Sequence, residues 1–404
     1  MTQRIAVYLY DTRNMFVGLG EFEDNLAKRI AAVAERLLTE RDVVFYFIVP
    51  SRLTGHYGPS VRYIKMNRWR LFFLNWAPAK ALRRWLFPRV DLVHFTQQLP
   101  KLHHTFSPQT LITVHDINFF HNHLPASVEQ KKAKRIAKSL QRATHLSFIS
   151  QFTSQDVRSH FAVDVPFRVI HNGVTNLSPL AERGTISIPA NSLLHISHLQ
   201  DKKNVHLLVE MMAQLPEYHL FLAGKEQGNY GQLLRNLIAR HRLSNVTMLG
   251  PVSTEDKARL FRDCRAFLFP SLSEGFGLPV VEAMCFGKPT FLSRLTSLPE
   301  VGGDAAYYFD ELHPAVRRLI ASAVRAAHEH GIPVSVCGEM AANGANMLLL
   351  MSMGIKSFSV SPKKISDLKE VLSRFTLEQI ESLKEWADSP KEGRLIKEKL
   401  QSFF

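Results

Sequence analysis

Short, almost continuous apolar runs alternate along this chain with longer segments whose apolar positions recur at helical spacing. The first run, Ile5-Ala6-Val7-Tyr8-Leu9-Tyr10, leads into a Gly18-Leu19-Gly20 turn and a helix over about 21–38. Further runs fall at 43–49, 92–95, 111–114, 143–149 and 167–170. Strands that are apolar on both faces and separated by helices predict a parallel sheet covered on both sides. Residues 176–191 (NLSPLAERGTISIPAN) break the rhythm with Pro, Ser and Asn and predict a linker. A second series then begins, with runs at 193–196, 219–223, 246–249, 266–269, 290–292 and 305–309. The pattern predicts an α/β protein with two Rossmann-like domains, at 1–175 and 192–311, facing a cleft.

Length and composition agree with this. A chain of 404 residues, 46% apolar and 21% charged, is globular and exceeds what one core holds. Cys264, Cys285 and Cys337 show no metal-ligand spacing and form no even framework, which points to a reducing compartment. Met1-Thr2-Gln3-Arg4 runs directly into the first strand, and no run of 18 apolar residues occurs. The expected location is therefore cytoplasmic.

Charge adds a partner. The formal net charge of +14 implies an anionic one. The excess concentrates between Asp42 and Asp91, which encloses no acidic residue but holds Arg52, Arg62, Lys65, Arg68, Arg70, Lys80, Arg83, Arg84 and Arg89. Trp69, Trp76 and Trp85 share the stretch with Phe72, Phe73 and Phe87. One reading of residues 52–89 is an interfacial anchor on an anionic membrane surface, on the inner face. A second is an ordinary aromatic core under a solvated basic face. Nucleic acid is disfavoured, since no RNA-binding motif accompanies the charge.

The candidate chemistry centres on Ser273-Glu274-Gly275-Phe276-Gly277-Leu278-Pro279-Val280-Val281-Glu282-Ala283-Met284. Glycines 275 and 277 permit close approach of backbone to ligand, and Pro279 suits a helix's first turn. A helix N-terminus there would face an anion such as a diphosphate. A tight capped turn accounts for the glycines. It does not account for Glu274 at the mouth and Glu282 one turn inside the helix, positioned to accept hydrogen bonds from a ribose diol.

This segment resembles the EGFGLPxxEAM motif of the retaining family 4 glycosyltransferases, enzymes of the two-Rossmann-domain GT-B fold. Gly287-Lys288-Pro289, Ser297-Leu298-Pro299-Glu300 and Gly303-Asp304-Ala305-Ala306 are similar to the family's continuation. The resemblance implies a catalytic histidine at the strand end Thr113-Val114-His115-Asp116, with His115 near the anomeric carbon. It implies a donor site built from Gly18, Gly20, Lys203, Gly275, Phe276, Gly277, Leu278 and Glu282, in which Glu274 orients sugar hydroxyls. Lys203 would neutralise donor phosphates. Ser197-His198 stands where many members carry Gly-Arg, which implies a weaker or pH-sensitive phosphate contact. No D-x-D occurs, so the implied reaction uses a nucleotide-sugar as substrate with no cofactor and no metal. The implied acceptor is a glycan or lipid-linked molecule, and mannose on GDP is the first choice of donor.

Residues 312–404 depart from this pattern. Val336-Cys337-Gly338-Glu339-Met340-Ala341 and Ser357-Phe358-Ser359-Val360-Ser361-Pro362 resemble the end of a phosphoenolpyruvate-utilising barrel of the Enzyme I type. The resemblance makes Cys337 the counterpart of an acid/base. The barrel's other strands have no match here, and a partial βα-barrel segment cannot assemble that site, so Cys337 is expected to be silent. Two rivals therefore stand beside the transferase: a folded but inert chimera, and a phosphotransfer protein that lacks most of its barrel.

Overall fold

A computed structural model of the chain describes residues 2–13, 18–76, 87–102, 107–121, 125–309, 314–337 and 339–387. Expectations for Lys80, Arg83, Arg84, Trp85 and Gly338 lie outside the described residues. The chain divides into two compact units, Met1–Tyr307 and Tyr308–Phe404.

The first unit opens with β1 (Gln3–Tyr8), a short 3-10 turn, α1 (Gly18–Arg41), β2 (Val43–Pro50), β3 (Arg62–Met66) and α2 (Arg68–Asn75). It continues with β4 (Leu92–Phe95), β5 (Gln109–Val114), α3 (Ala126–Leu140), β6 (His145–Phe148), α4 (Gln151–His160) and β7 (Phe167–Val169). These strands form a seven-stranded parallel sheet in the order β3-β2-β1-β4-β5-β6-β7. The pleat divides the apolar runs between two cores. Ala6 and Tyr8 of β1 and Ile48 of β2 pack on one side, while Val7, Phe47 and Val49 pack on the other. β3 was not legible as a strand, because its alternation lies inside the basic stretch.

The predicted linker contains a 3-10 turn at Ser178–Arg183, which packs against the second domain through Leu177, Ala181 and Ala258. There follow β8 (Ser192–Ile196), α5 (Val205–Met211), β9 (His219–Ala223), α6 (Tyr230–Arg240), β10 (Val246–Gly250) and α7 (Thr254–Asp263). Next come β11 (Ala266–Phe269), α8 (Leu278–Cys285), β12 (Thr290–Ser293), α9 (Leu298–Gly302) and β13 (Tyr307–Phe309). The sheet order is β10-β9-β8-β11-β12-β13. Each sheet reverses its strand order once, beside β1 and beside β8. In open parallel sheets that reversal, at the carboxyl ends of the strands, is where ligands bind. The two-sheet parallel α/β architecture expected from the apolar pattern is the one observed.

The second unit carries α10 (Pro314–Glu329), β14 (Ser335–Cys337), α11 (Glu339–Ala342), α12 (Gly344–Ser352), β15 (Ser357–Ser359), α13 (Pro362–Ser373), α14 (Leu377–Ser382) and α15 (Lys384–Ala387). β14 and β15 pair in parallel. α12 is apolar nearly all round and is central: Leu348 and Leu349 pack with Ile380 and Leu383, and Leu350 with Val324 and Ile355. No described helix is long and apolar enough to cross a membrane.

Candidate active site

The carboxyl ends of the two sheets meet at one point. The loop after β11 reaches the end of β5, where a Cβ on Gly275 would fall 2.3 Å from the His115 carbonyl oxygen and 3.2 Å from the Asp116 Cβ. Only a residue without a side chain allows this approach. Ser150 at the end of β6 donates its hydroxyl to the Gly275 carbonyl at 2.9 Å. Glu300 on α9 reaches across as well. It accepts from the Gln151 and Phe152 backbone N–H groups, at 2.7 and 3.0 Å, and so caps α4 from the opposite domain.

Gly277, at φ 98°, ends the loop and starts α8, with Pro279 in the helix's first turn and no side chain capping its amides. Leu278 is the first helical residue, and Phe276 is buried. The hydroxyl of Ser297 holds the loop from between the carbonyls of Glu274 and Phe276, 3.1 and 3.2 Å away, which share its one proton.

Lys203 and Glu274 form a closely paired ion pair, both largely buried, with the ammonium 5.1 Å from the centre of the Phe269 ring. Burial opposes ionisation of Glu274. Lys203, helped by Ser271 and Lys202, overcomes that and holds the carboxyl below its ordinary value. Lys203 is brought there by a 3-10 turn that Asn204 ends in the left-handed region, at φ 56°. The turn is fastened to the β11 loop where the Leu272 N–H donates to the Lys202 carbonyl at 2.8 Å.

Glu282 sits inside α8, buried, and accepts from the Lys257 ammonium of α7 at 2.6 Å. Its other oxygen, Oε2, is buried without a hydrogen-bond partner. Burial raises its pKa, Lys257 pulls it back, and the charge of Glu21 raises it again. An orphaned carboxylate oxygen is costly unless something donates to it, and a ribose diol supplies suitable donors.

His115 follows β5 as expected and is partly exposed. Its Nε2 lies 2.7 Å from the Thr96 carbonyl, which can only accept, so Nε2 carries the proton. Burial depresses its pKa against the opposing pull of Thr96 and Asp116, so the ring is neutral at physiological pH. Phe22 of α1 packs edge-on against it, with ring centres 4.8 Å apart. The expected turn at Gly18 and Gly20 is instead the first turn of α1, and Glu21 at this end acts on Glu282. Sequence reasoning missed Lys257, Thr96 and Glu23. The only signal for Glu23 was a carboxylate on the buried Gly20–Asp24–Ala27 stripe of α1.

A cavity of about 620 Å³ lined by Arg4, Asp91 and Gln109 lies at the opposite, amino ends of the first sheet's strands, away from these groups.

Comparison with known proteins locates the site within a family. Residues 29–175 match the family model "Glycosyltransferase Family 4", and residues 184–318 match "Glycosyl transferases group 1". Residues 300–377 match "PEP-utilising enzyme, PEP-binding domain", and the overlap at 300–318 contains the division between the two compact units. The serotype-specific mannosyltransferase WbdA of Escherichia coli is 31% identical over 182 residues, covering 40% of this chain and 22% of the relative. The chain thus spans about a fifth of that protein's length. The phosphoenolpyruvate-protein phosphotransferase of Cupriavidus necator is 32% identical over 103 residues, 26% of this chain and 18% of the relative. Among solved structures, the sucrose-phosphate synthase of Thermosynechococcus elongatus superposes with a TM-score of 0.59 at 19% identity, over 76% of this chain and 85% of that one, which shows the shared GT-B fold. Residues 29–175 and 184–318 thus match two glycosyltransferase family models, those of a family 4-like glycosyltransferase, and the chain continues into a segment of the phosphoenolpyruvate-utilising kind.

Proposed function

We propose that the chain transfers a sugar, with retention of anomeric configuration, from a nucleotide-sugar donor to a glycan or lipid-linked acceptor. The observation that carries this reading is the buried Oε2 of Glu282, without a partner on a helix whose uncapped amino end faces the strand reversal. A nucleoside diphosphate has donors for the first and anionic oxygens for the second. Lys203 and the α8 amides would meet the charge that builds on the leaving diphosphate. Glu274 and the neutral His115 would hold the sugar above it. These groups supply the leaving-group stabilisation themselves, so the proposed reaction uses no metal and no cofactor.

Mannose is the first candidate sugar, supported by the mannosyltransferase relatives. α2 supports a membrane-bound acceptor. Asn67 caps it, Leu71 and Leu74 point inward, and Trp69, Phe72 and Trp76 stand 75%, 57% and 51% exposed beside Arg68 and Arg70. Such a face fits the inner surface of an anionic membrane.

A second reading, a folded but inert chimera, is favoured by the phosphoenolpyruvate-utilising match that begins at residue 300. Thermal unfolding with GDP, UDP, ADP and their sugars, on wild type and Glu282→Ala, separates the two. One nucleotide should raise the wild-type Tm. The variant should bind it about 10- to 100-fold more weakly, the loss expected for hydrogen bonds to a charged group. Stabilisation by no nucleotide would leave the inert reading standing.

A further inference from the structure

Glu23 is 0% exposed, faces the end of β4, and has no contact with Glu274, Lys203 or Glu282 among its hydrogen bonds. Its Oε2 accepts two backbone N–H groups, Asp11 at 2.7 Å and Thr12 at 3.0 Å. Its Oε1 lies 2.6 Å from the Thr96 hydroxyl, and that same hydroxyl lies 2.5 Å from the Tyr8 carbonyl. A hydroxyl has one proton to give, and a carbonyl has none. The Thr96 proton must therefore serve Tyr8, and the short contact to Glu23 needs a proton from Glu23.

We propose that Glu23 is a positioning residue, a buried neutral carboxylic acid that donates to Thr96 and so holds the carbonyl that fixes His115 as its Nε2–H tautomer. The effect on turnover rests on the transferase reading; the protonation and the tautomer do not. α1 then grips His115 twice, through the Phe22 ring and through the Glu23–Thr96 chain. A neutral acid also places no charge against Thr96, the residue that holds the ring.

The surroundings favour the neutral form. Burial pushes the Glu23 pKa up to about 8, and the charge of Asp11 adds to this against the contact with Thr96 and the hydrogen bonds from the Asp11 and Thr12 N–H groups, which lower it. The other titratable groups around it are Tyr8 of β1 and Tyr57, whose pKa values are raised by burial so that both stay neutral, and Asp24, which is held by Tyr57 and Lys28. His115 and its half-buried neighbour His94 lie beyond Thr96, and the desolvation of both rings keeps them neutral.

Glutamine is the isostere of the neutral acid, with an oxygen for the two N–H groups and an NH2 for Thr96. The test uses the full chain, wild type and Glu23→Gln, from pH 6 to 9. Isotope-edited infrared spectra with labelled glutamate should show a protonated carboxyl band in wild type at pH 6, absent from Glu23→Gln and lost above pH 8. Imidazole 15N shifts should report His115 as Nε2–H in both proteins at pH 7, with an inflection near pH 8 in wild type only. Donor turnover by Glu23→Gln relative to wild type should rise about tenfold between pH 7 and 9, as the neutral fraction of a group titrating near 8 declines. Absence of the carboxyl band at pH 6, or the same His115 inflection in both proteins, would overturn the proposal. If Glu23→Gln does not fold, the wild-type band alone decides. If neither protein turns over donor while the band and the inflection behave as expected, the transferase reading fails and this one stands.

Discussion

The Lys203–Glu274 pair shows how a single residue sets both charge and stability. Glu274 is ionised in a site that would otherwise favour its neutral form, because Lys203 outweighs the desolvation. With its folded pKa below the ordinary value, Glu274 contributes stability that is present above the unfolded pKa. That contribution is lost as pH falls through the depressed folded value. Replacing Lys203 with Ala removes the main opposition to desolvation and leaves only the weaker help of Ser271 and Lys202, so the Glu274 pKa should rise above the ordinary value and the sign should invert. We expect the Tm of Lys203→Ala, relative to wild type, to fall as pH rises from 4 to 7, because the unfolded chain then ionises a group the folded chain keeps neutral. Thermal unfolding across that range checks the sign, and an unchanged Tm difference would refute it. The same substitution should lower kcat by about 100-fold or more, since a charge that meets the leaving diphosphate acts chiefly in the transition state.

Elements differ in how far their chemistry could be read from the chain. α8 was legible with its loop, because Gly275, Gly277 and Pro279 each answer a local demand: a close approach, a positive φ and a first helical turn. The basic stretch was legible only as alternatives. Charge and aromatic content do not say which face of a short helix is covered, and that depends on where Leu71 and Leu74 find a core. The structure buries those two and leaves Trp69, Phe72, Phe73 and Trp76 outward, so the aromatics of α2 are not the core. β3 was hidden for a related reason, its inward Ile64 and Met66 being separated by Lys65 in a strand that opens on Arg62. The outward face carries its own expectation. Trp69→Ala combined with Trp76→Ala should weaken binding to vesicles containing anionic lipid by at least about tenfold, each indole contributing on the order of 2 kcal/mol when its apolar area leaves water. Raising salt should weaken wild-type binding through the arginines. Co-sedimentation with anionic and neutral vesicles reads both effects, and equal binding by wild type and variant would remove α2 as the anchor.

At the scale of the molecule, two family matches overlap within 300–318, and each compact unit offers only what its own packing completes. Met1–Tyr307 contains both parallel sheets through β12, and its site residues come from loops at their carboxyl ends. That arrangement could be anticipated from two series of apolar runs. The chain that joins the sheets' ends could not: Gly275 against His115, Glu300 capping α4 and Glu23 against Thr96 connect residues 73 to 160 positions apart, and no local pattern encodes such pairings. Tyr308–Phe404 offers a contrast. Cys337 ends β14 and is exposed, yet among the described residues its sheet has two strands. A phosphoenolpyruvate site at the mouth of a βα-barrel draws residues from the ends of several strands, and two strands cannot arrange them. Among the described residues no group of three or more His, Cys, Asp or Glu side chains could hold a metal ion beside Cys337. Phosphoenolpyruvate at millimolar concentration, with and without magnesium, should therefore leave the Tm of the full chain unchanged, and Cys337→Ser should leave donor turnover within about twofold of wild type. A phosphoenolpyruvate-dependent rise in Tm that Cys337→Ser abolishes would show instead that the segment binds phosphoenolpyruvate at Cys337, a second site apart from the one around Glu282.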